Sequence, residues 1–236
     1  DSPERLAFGG RLMDTSGVHM SPVYGGDVRP FTLQDQYGPV NIYMLPFLKP
    51  VHVRLCFPEE QSGTYTEALR TAVEQLQINE DERNILVTHQ FVTGSRRCES
   101  EEVSVGGSDN VDASVFAGFD YTALGHLHSP QNCLSPKIRY CGSPLKYSFS
   151  EADDRKSLTV GELAAKGSLT LREAELRPLH DMREIKGLYN ELTLKSYYEN
   201  TSYQEDYLHV TLTDEDDVPD AIGRLRSIYH NLVRLD

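Results

Sequence analysis

The sequence predicts an α/β (α+β) protein in two parts, on three observations. An amphipathic helical pattern over Thr66–Asn79 runs into an apolar strand at Asn84–Thr88, the α-then-β step of a layered domain. A second apolar stretch, Phe119–Leu124, likewise leads into a histidine-bearing segment. Beyond residue 180 the pattern alternates as β-α-β-α-β. At 236 residues the chain has enough length for one large domain or a domain plus a smaller one. The character changes around Pro178, so the expected units are 1–178 and 179–236. The second is small and should lean on the first, because a unit of about 60 residues buries little core.

Each element has a local reason. Pro3–Met13 reads as a helix with Ser2 as N-cap, proline in its first turn and Leu6, Phe8 and Leu12 as its apolar positions. Gly17–Tyr24 reads as a strand entering a turn at Gly25-Gly26. Phe31–Leu33 and Val40–Leu45 flank Tyr37-Gly38-Pro39, a hairpin signal. Leu48–Glu60 carries Pro50 and Pro58 and is expected to be loop. In the helix over Thr66–Asn79, Leu69, Val73 and Leu76 share one face with Ala68 and Ala72. Gly94–Asn110, rich in Ser, Gly and acidic residues, reads as a long loop, and Asp112–Phe116 as a helical turn. Strands and turns follow through Ile138–Cys141 to Ser148, and Ser157–Leu163 with Leu169–Leu176 form a hairpin about Gly167. The last part gives strands at Met182–Ile185, Tyr207–Thr213 and Asn231–Leu235. Between them lie helices at Leu188–Tyr198 and Pro219–Ser227, the latter capped by Asp217.

The chemistry concentrates in three histidines. His89 follows Ile85-Leu86-Val87-Thr88, and His126 and His128 lie in Ala123-Leu124-Gly125-His126-Leu127-His128. Histidines at i and i+2 point to one side of an extended strand, and on a turn they fan out toward two neighbouring ions. Gly125 just before them suits a chain that bends sharply or brings its backbone close to another group. Both segments are strand-end loops, where open α/β sheets carry their binding groups. Read singly, each is as well explained as an ordinary loop histidine; the triplet favours a metal site.

The run Tyr121-Thr122-Ala123-Leu124-Gly125-His126-Leu127-His128-Ser129-Pro130-Gln131, with Tyr140-Cys141-Gly142-Ser143-Pro144-Leu145 and Ser148-Phe149-Ser150-Glu151 behind it, resembles the calcineurin-like metallophosphoesterases. More narrowly it is similar to the SbcD family, bacterial nuclease subunits of double-strand-break repair. The opening Asp1-Ser2-Pro3-Glu4-Arg5-Leu6 also fits, with Asp1 standing where the family's Gly-Asn-His-Asp motif ends. The resemblance implies a four-layer α/β/β/α sandwich with a small βαβαβ cap. It implies two divalent ions, usually manganese, that clamp a phosphodiester and activate water. His89 and His126 would share one ion and His128 would bind the other. The substrate implied is double-stranded DNA, at ends and hairpins. The partners implied are an SbcC-like coiled-coil ATPase and a second copy of the chain.

The departure from the family is equally informative. Its Asp-x-His, its bridging Asp and the Asn and catalytic His of Gly-Asn-His-Asp would all precede Asp1, so no catalytic residue is expected within this chain. Asp14, Asp27 and Asp35 lie in loop-like sequence and are not expected to replace them. Manganese prefers carboxylate oxygens beside imidazole. The chain alone is therefore expected to bind metal weakly or not at all, to be inactive, and as a fragment to expose apolar sheet edges unless another chain or a second copy covers them.

The formal net charge is −13, from 23 Lys+Arg against 36 Asp+Glu. Such a balance makes a poor lone DNA binder, since phosphate neutralisation needs basic residues; a partner would supply most of that surface. Lys49, His52, Arg54, Lys137, Arg139 and Lys146 either track a phosphate backbone or are plain solvated surface. Cys56, Cys98, Cys133 and Cys141 show no C-x-x-C spacing. Cys133 and Cys141 are close enough in sequence for a disulfide, but with no signal-like or membrane-length apolar run, reduced cytoplasmic thiols are the simpler reading. Gly142-Ser143-Pro144 is a turn whose serine either is structural or touches substrate phosphate. No Gly-x-Ser-x-Gly elbow and no phosphate-binding loop accompanies it. Two other functions stay open: a phosphoesterase acting on nucleotides or phosphoproteins, and a non-catalytic scaffold that kept the fold.

Overall fold

In chain order the computed structural model has α1 (Pro3–Ala7), β1 (Phe31–Asp35), β2 (Gly38–Leu45), α2 (Pro50–Cys56), α3 (Tyr65–Glu74), β3 (Arg83–His89), β4 (Phe91–Val92) and β5 (Asn110–Val111). A 3-10 turn at Ala113–Phe116 leads to β6 (Tyr121–Gly125), β7 (Gln131–Cys133) and β8 (Ser135–Tyr140). Another at Phe149–Glu151 precedes β9 (Ser157–Leu163) and β10 (Leu169–Glu175). Last come β11 (Met182–Gly187), α4 (Tyr189–Leu192), α5 (Lys195–Tyr198), β12 (Tyr207–Leu212), α6 (Ala221–Arg226) and β13 (Leu232–Leu235). Residues 3–7, 13–21, 23–60, 62–93, 95 and 109–236 are described. Asp1, the Ser2 cap, Phe8, Leu12, Cys98 and most of the Gly94–Asn110 segment lie outside them.

The main sheet runs β1-β2-β3-β6-β8-β7. Its middle four strands are mutually parallel, so β3 and β6 end side by side, with His89 in register with Gly125. Alternation sorts their side chains to two faces. Tyr43, Leu45, Leu86 and Leu124 point to one and form a buried core with Val53 of α2 and Ala68, Leu69 and Ala72 of α3. Helix α3 is fixed at its start by Thr64, whose hydroxyl accepts from the Glu67 amide while the Glu67 carboxylate takes the Thr64 amide, a capping box.

The opposite face carries Leu33, Val40, Ile42, Met44, Ile85 and Val87, and the β9–β10 hairpin covers it at one end. There the β9–β10 hairpin is tied down by two arginines of that face. Arg83, 2% exposed, binds the Asp35 carboxylate, the Gly38 carbonyl (2.6 Å) and the Leu163 and Ala164 carbonyls (3.0 and 2.9 Å). Arg139 binds Glu173, Thr159 and Asn132. Toward the histidines the face is open, with Val87 42% exposed. The sequence predicts exposed apolar edges; Val87 is instead on the face of a central strand, between β2 and β6.

The C-terminal strands form a parallel sheet, β11-β12-β13. Its own core joins Ile185, Leu192, Leu208, Val210, Leu225, Tyr229 and Leu232. Lys146 and Phe149 of the main body meet it. Lys146 binds the Asp181 carboxylate at 2.9 Å and also donates to the Met182 carbonyl at 3.4 Å, and the Phe149 ring lies 5.3 Å from that of His209.

Several element readings need correction. Leu48–Glu60 is not loop throughout: Pro50 starts α2, a position where its missing N–H costs nothing. The described part of Gly17–Tyr24 holds no strand. The long helix over Leu188–Tyr198 is two short ones broken at Thr193-Leu194, where the Thr193 hydroxyl bonds the Tyr189 carbonyl. The last helix is preceded by Asp220, in the left-handed region at φ 53°, and not by Asp217.

Candidate metal centre

His89 is the last residue of β3, and His126 follows the last residue of β6. Parallel pairing therefore brings them to the same edge of the sheet. The Nε2 of His89 faces the Nδ1 of His126 at 3.3 Å, with ring centroids 5.2 Å apart. Phe47 lies edge-on to His89 and Phe91 stacks obliquely on His126, each at 6.2 Å. Partial burial, and secondarily the neighbouring His126, hold the His89 pKa below the ordinary imidazole value. The neutral ring is the form that ligates metal.

Two glycines shape the approach. A Cβ on Gly125 would sit 2.9 Å from the His89 Nδ1, so only glycine leaves the ring in its present place. Gly142, at φ 83°, packs against the His128 carbonyl, which a Cβ would meet at 2.5 Å. Gly125→Ala is expected to keep the fold, at a cost of about 1 kcal/mol, while turning the His89 ring away from His126. Imidazole 15N chemical shifts of both histidines check this; unchanged shifts would contradict it.

The set is fitting but partial. At 3.3 Å the two nitrogens are within hydrogen-bond distance of each other, and one ion could be shared by so close a pair. Beside it is a pocket of about 300 Å³ lined by Ser21, Met44, Val87, Thr88, His89 and Gly125 among others. Among the described residues no group of three or more His, Cys, Asp or Glu is placed to hold a metal. Asp14 is paired with His19, Asp27 with Arg29 and Asp35 with Arg83, so none faces the pair.

His128 and Ser143 belong to the neighbouring loop. The His128 ring lies 5.3 Å from that of Tyr147, and its Nδ1 is 3.5 Å from the Glu151 carboxylate. The Ser143 hydroxyl turns inward, donating to the Leu145 carbonyl at 2.6 Å and lying 3.1 Å from Lys156 Nζ. Glu151 and Lys156 lie outside the set of site residues that the sequence predicts. Ser148-Phe149-Ser150-Glu151 carries the Ser-x-x-Glu spacing of a capping box, a signal that marks Glu151; nothing local marks Lys156.

Of the scattered basic residues, Arg139 and Lys146 are spent on internal bonds, and Arg54 donates to the Ser62 carbonyl. Cys56, Cys133 and Cys141 are free thiols; Cys133 is buried, 2.9 Å from the Ser95 hydroxyl. No helix among the described residues is long and apolar enough to cross a membrane.

A parallel α/β sheet with imidazoles meeting at its strand ends, followed by the Gly142-Ser143-Pro144 loop, is a mixed α/β arrangement consistent with a metallophosphoesterase-like domain. Comparison with known proteins narrows this. Along all of its length the chain is 29% identical to the SbcD component of the SbcCD nuclease of Staphylococcus epidermidis and 31% identical to that of Staphylococcus saprophyticus. Residues 178–236 match the SbcD C-terminal family model, that of the type 5 capsule protein repressor C-terminal domain. By these comparisons the chain is similar to the bacterial SbcD family. It spans 62% and 61% of the length of these two relatives.

Proposed function

We propose that this chain forms part of the metal-bearing domain, and the cap, of a manganese-dependent nuclease subunit that hydrolyses phosphodiester bonds of double-stranded DNA ends and hairpins. The observation that carries the reading is the pair of imidazole nitrogens, His89 Nε2 and His126 Nδ1, facing at 3.3 Å across neighbouring parallel strand ends. Two divalent ions, when bound, supply Lewis-acid polarisation of the phosphodiester and an activated water. In this reading His89 and His126 hold one ion and His128 the other. Phe47 and Phe91 limit water around the pair, and Ser143 keeps the loop beside the phosphate in shape.

The carboxylate ligands and the catalytic histidine belong to sequence outside these residues, so residues 1–236 alone bind manganese weakly and do not cleave. The main sheet is then one half of a four-layer α/β/β/α sandwich whose second half covers Met44, Ile85 and Val87. Residues 1–178 form the nuclease domain and 179–236 the cap that orients DNA over the metals. With a net charge of −13, the DNA-holding surface comes chiefly from an SbcC-like coiled-coil ATPase, with two copies of the nuclease subunit in the complex. The name that the relatives carry, that of one component of a nuclease complex, supports this assignment.

The test is cleavage of linear duplex DNA by the full-length protein with and without manganese, beside a His89→Ala variant. Manganese-dependent cleavage lost in the variant is expected. Equal cleavage by both would remove His89 from the mechanism. No cleavage by either, alone or with the partner ATPase, would favour a non-catalytic scaffold.

A further inference from the structure

Beneath His128 lies a buried ion pair that the proposed reaction does not use. Glu151 is 0% and Lys156 3% exposed, and Lys156 Nζ lies 2.6 Å from Glu151 Oε2. The remaining protons of the ammonium go to the His128 carbonyl at 2.9 Å and the Ser143 hydroxyl at 3.1 Å. The other carboxylate oxygen, Oε1, accepts from the amides of Tyr147 and Ser148, at 3.2 and 3.1 Å. It also faces His128 Nδ1 at 3.5 Å. The Ser143 amide closes the arrangement by donating to the same His128 carbonyl at 2.9 Å.

Stability does not call for such a pair. Two buried charges are costly to desolvate, and well-packed apolar residues of similar volume serve a core as well or better. The charged pair provides what an apolar pair cannot: a cation that holds the backbone of residue 128, and an anion that meets one edge of its ring. A carboxylate at Nδ1 favours the tautomer with its proton there and leaves Nε2 with the lone pair that binds metal.

We infer that Glu151 and Lys156 are positioning residues for His128, holding its backbone and the tautomer of its ring in the metal-binding form. The inference rests on His128 being a metal ligand, as proposed above. The experiment is an equilibrium manganese titration of the full-length protein, read by the electron paramagnetic resonance of free manganese. It is paired with imidazole 15N shifts of the metal-free protein. The variants are His128→Ala, Glu151→Gln and the double variant Glu151→Leu/Lys156→Met.

In the Glu151 variants one manganese site is expected to weaken about 10–100-fold while the other holds. The His128 ring is expected to move from the Nδ1-protonated tautomer to a mixture. The double variant removes both charges together and so leaves no unpaired charge buried, which keeps the test open if Glu151→Gln does not fold. A folded double variant with parental manganese affinity and an unchanged His128 tautomer would overturn the inference alone, provided His128→Ala does weaken binding. Unchanged binding in His128→Ala would instead overturn the ligand assignment, and the inference with it.

Discussion

Arg83→Ala is expected to lower the unfolding free energy by about 3–5 kcal/mol, because three carbonyls lose a buried donor. The side chain is almost fully enclosed and joins three pieces of chain: the β1–β2 turn at Gly38, Asp35 at the end of β1, and the Leu163-Ala164 end of the β9–β10 hairpin. Alanine leaves three carbonyls without their donor, each costing about 1–3 kcal/mol where water cannot reach it. The Asp35 carboxylate is half-exposed and finds water, so its charge is not stranded. Arg83→Lys should recover only part of the loss, because one ammonium cannot reproduce a planar fork serving several acceptors. Urea denaturation of the three proteins reads this directly; a loss below about 1 kcal/mol for alanine would show the hairpin held by other means.

The pair also sets an acid limit. Hydrogen bonding to Arg83, then to the Tyr37 amide, holds the Asp35 carboxyl below its ordinary pKa. A carboxyl lower in the folded than in the unfolded chain contributes stability above the unfolded value of about 3.9. That contribution is lost as pH falls through the folded value. The difference between parent and Asp35→Asn should therefore shrink only in strong acid.

His126→Gly is expected to raise stability by about 1 kcal/mol while weakening manganese binding at the His89 site by more than about 100-fold in the full-length protein. The two effects have opposite sign because His126 sits at φ 113°, a conformation that favours glycine. Non-glycine residues there cost about 1–3 kcal/mol and persist where surrounding structure or function holds them. Outer partners of metal ligands already cost 10–100-fold when removed, so loss of a ligand should cost more. Thermal melting with a parallel manganese titration checks both signs. A destabilised variant that keeps its metal would mean that His126 is structural.

Much of this was legible in the sequence. The Thr66–Asn79 periodicity and the apolar runs before His89 and His126 identified the layered sheet, and Tyr37-Gly38-Pro39 marked the hairpin that became β1 and β2. What escaped depended on long-range packing. Pro50 looked like a breaker and instead begins α2, because a proline is read differently at a helix start than inside one. Arg139 and Lys146 looked like surface cations and are held by Glu173 and Asp181, residues 34 and 35 positions away that no local pattern connects to them. The His89–His126 meeting follows from the parallel register of β3 with β6, which strand patterns do not specify. Lys156 acquires its role only through a loop that returns to His128.

The most direct measurement is the anomalous scattering of manganese in crystals of the full-length protein. A peak within bonding distance of both His89 Nε2 and His126 Nδ1, with a second at His128, is expected. Bound manganese that touches neither His89 nor His126 would contradict the assignment of this strand-end pair as the metal centre.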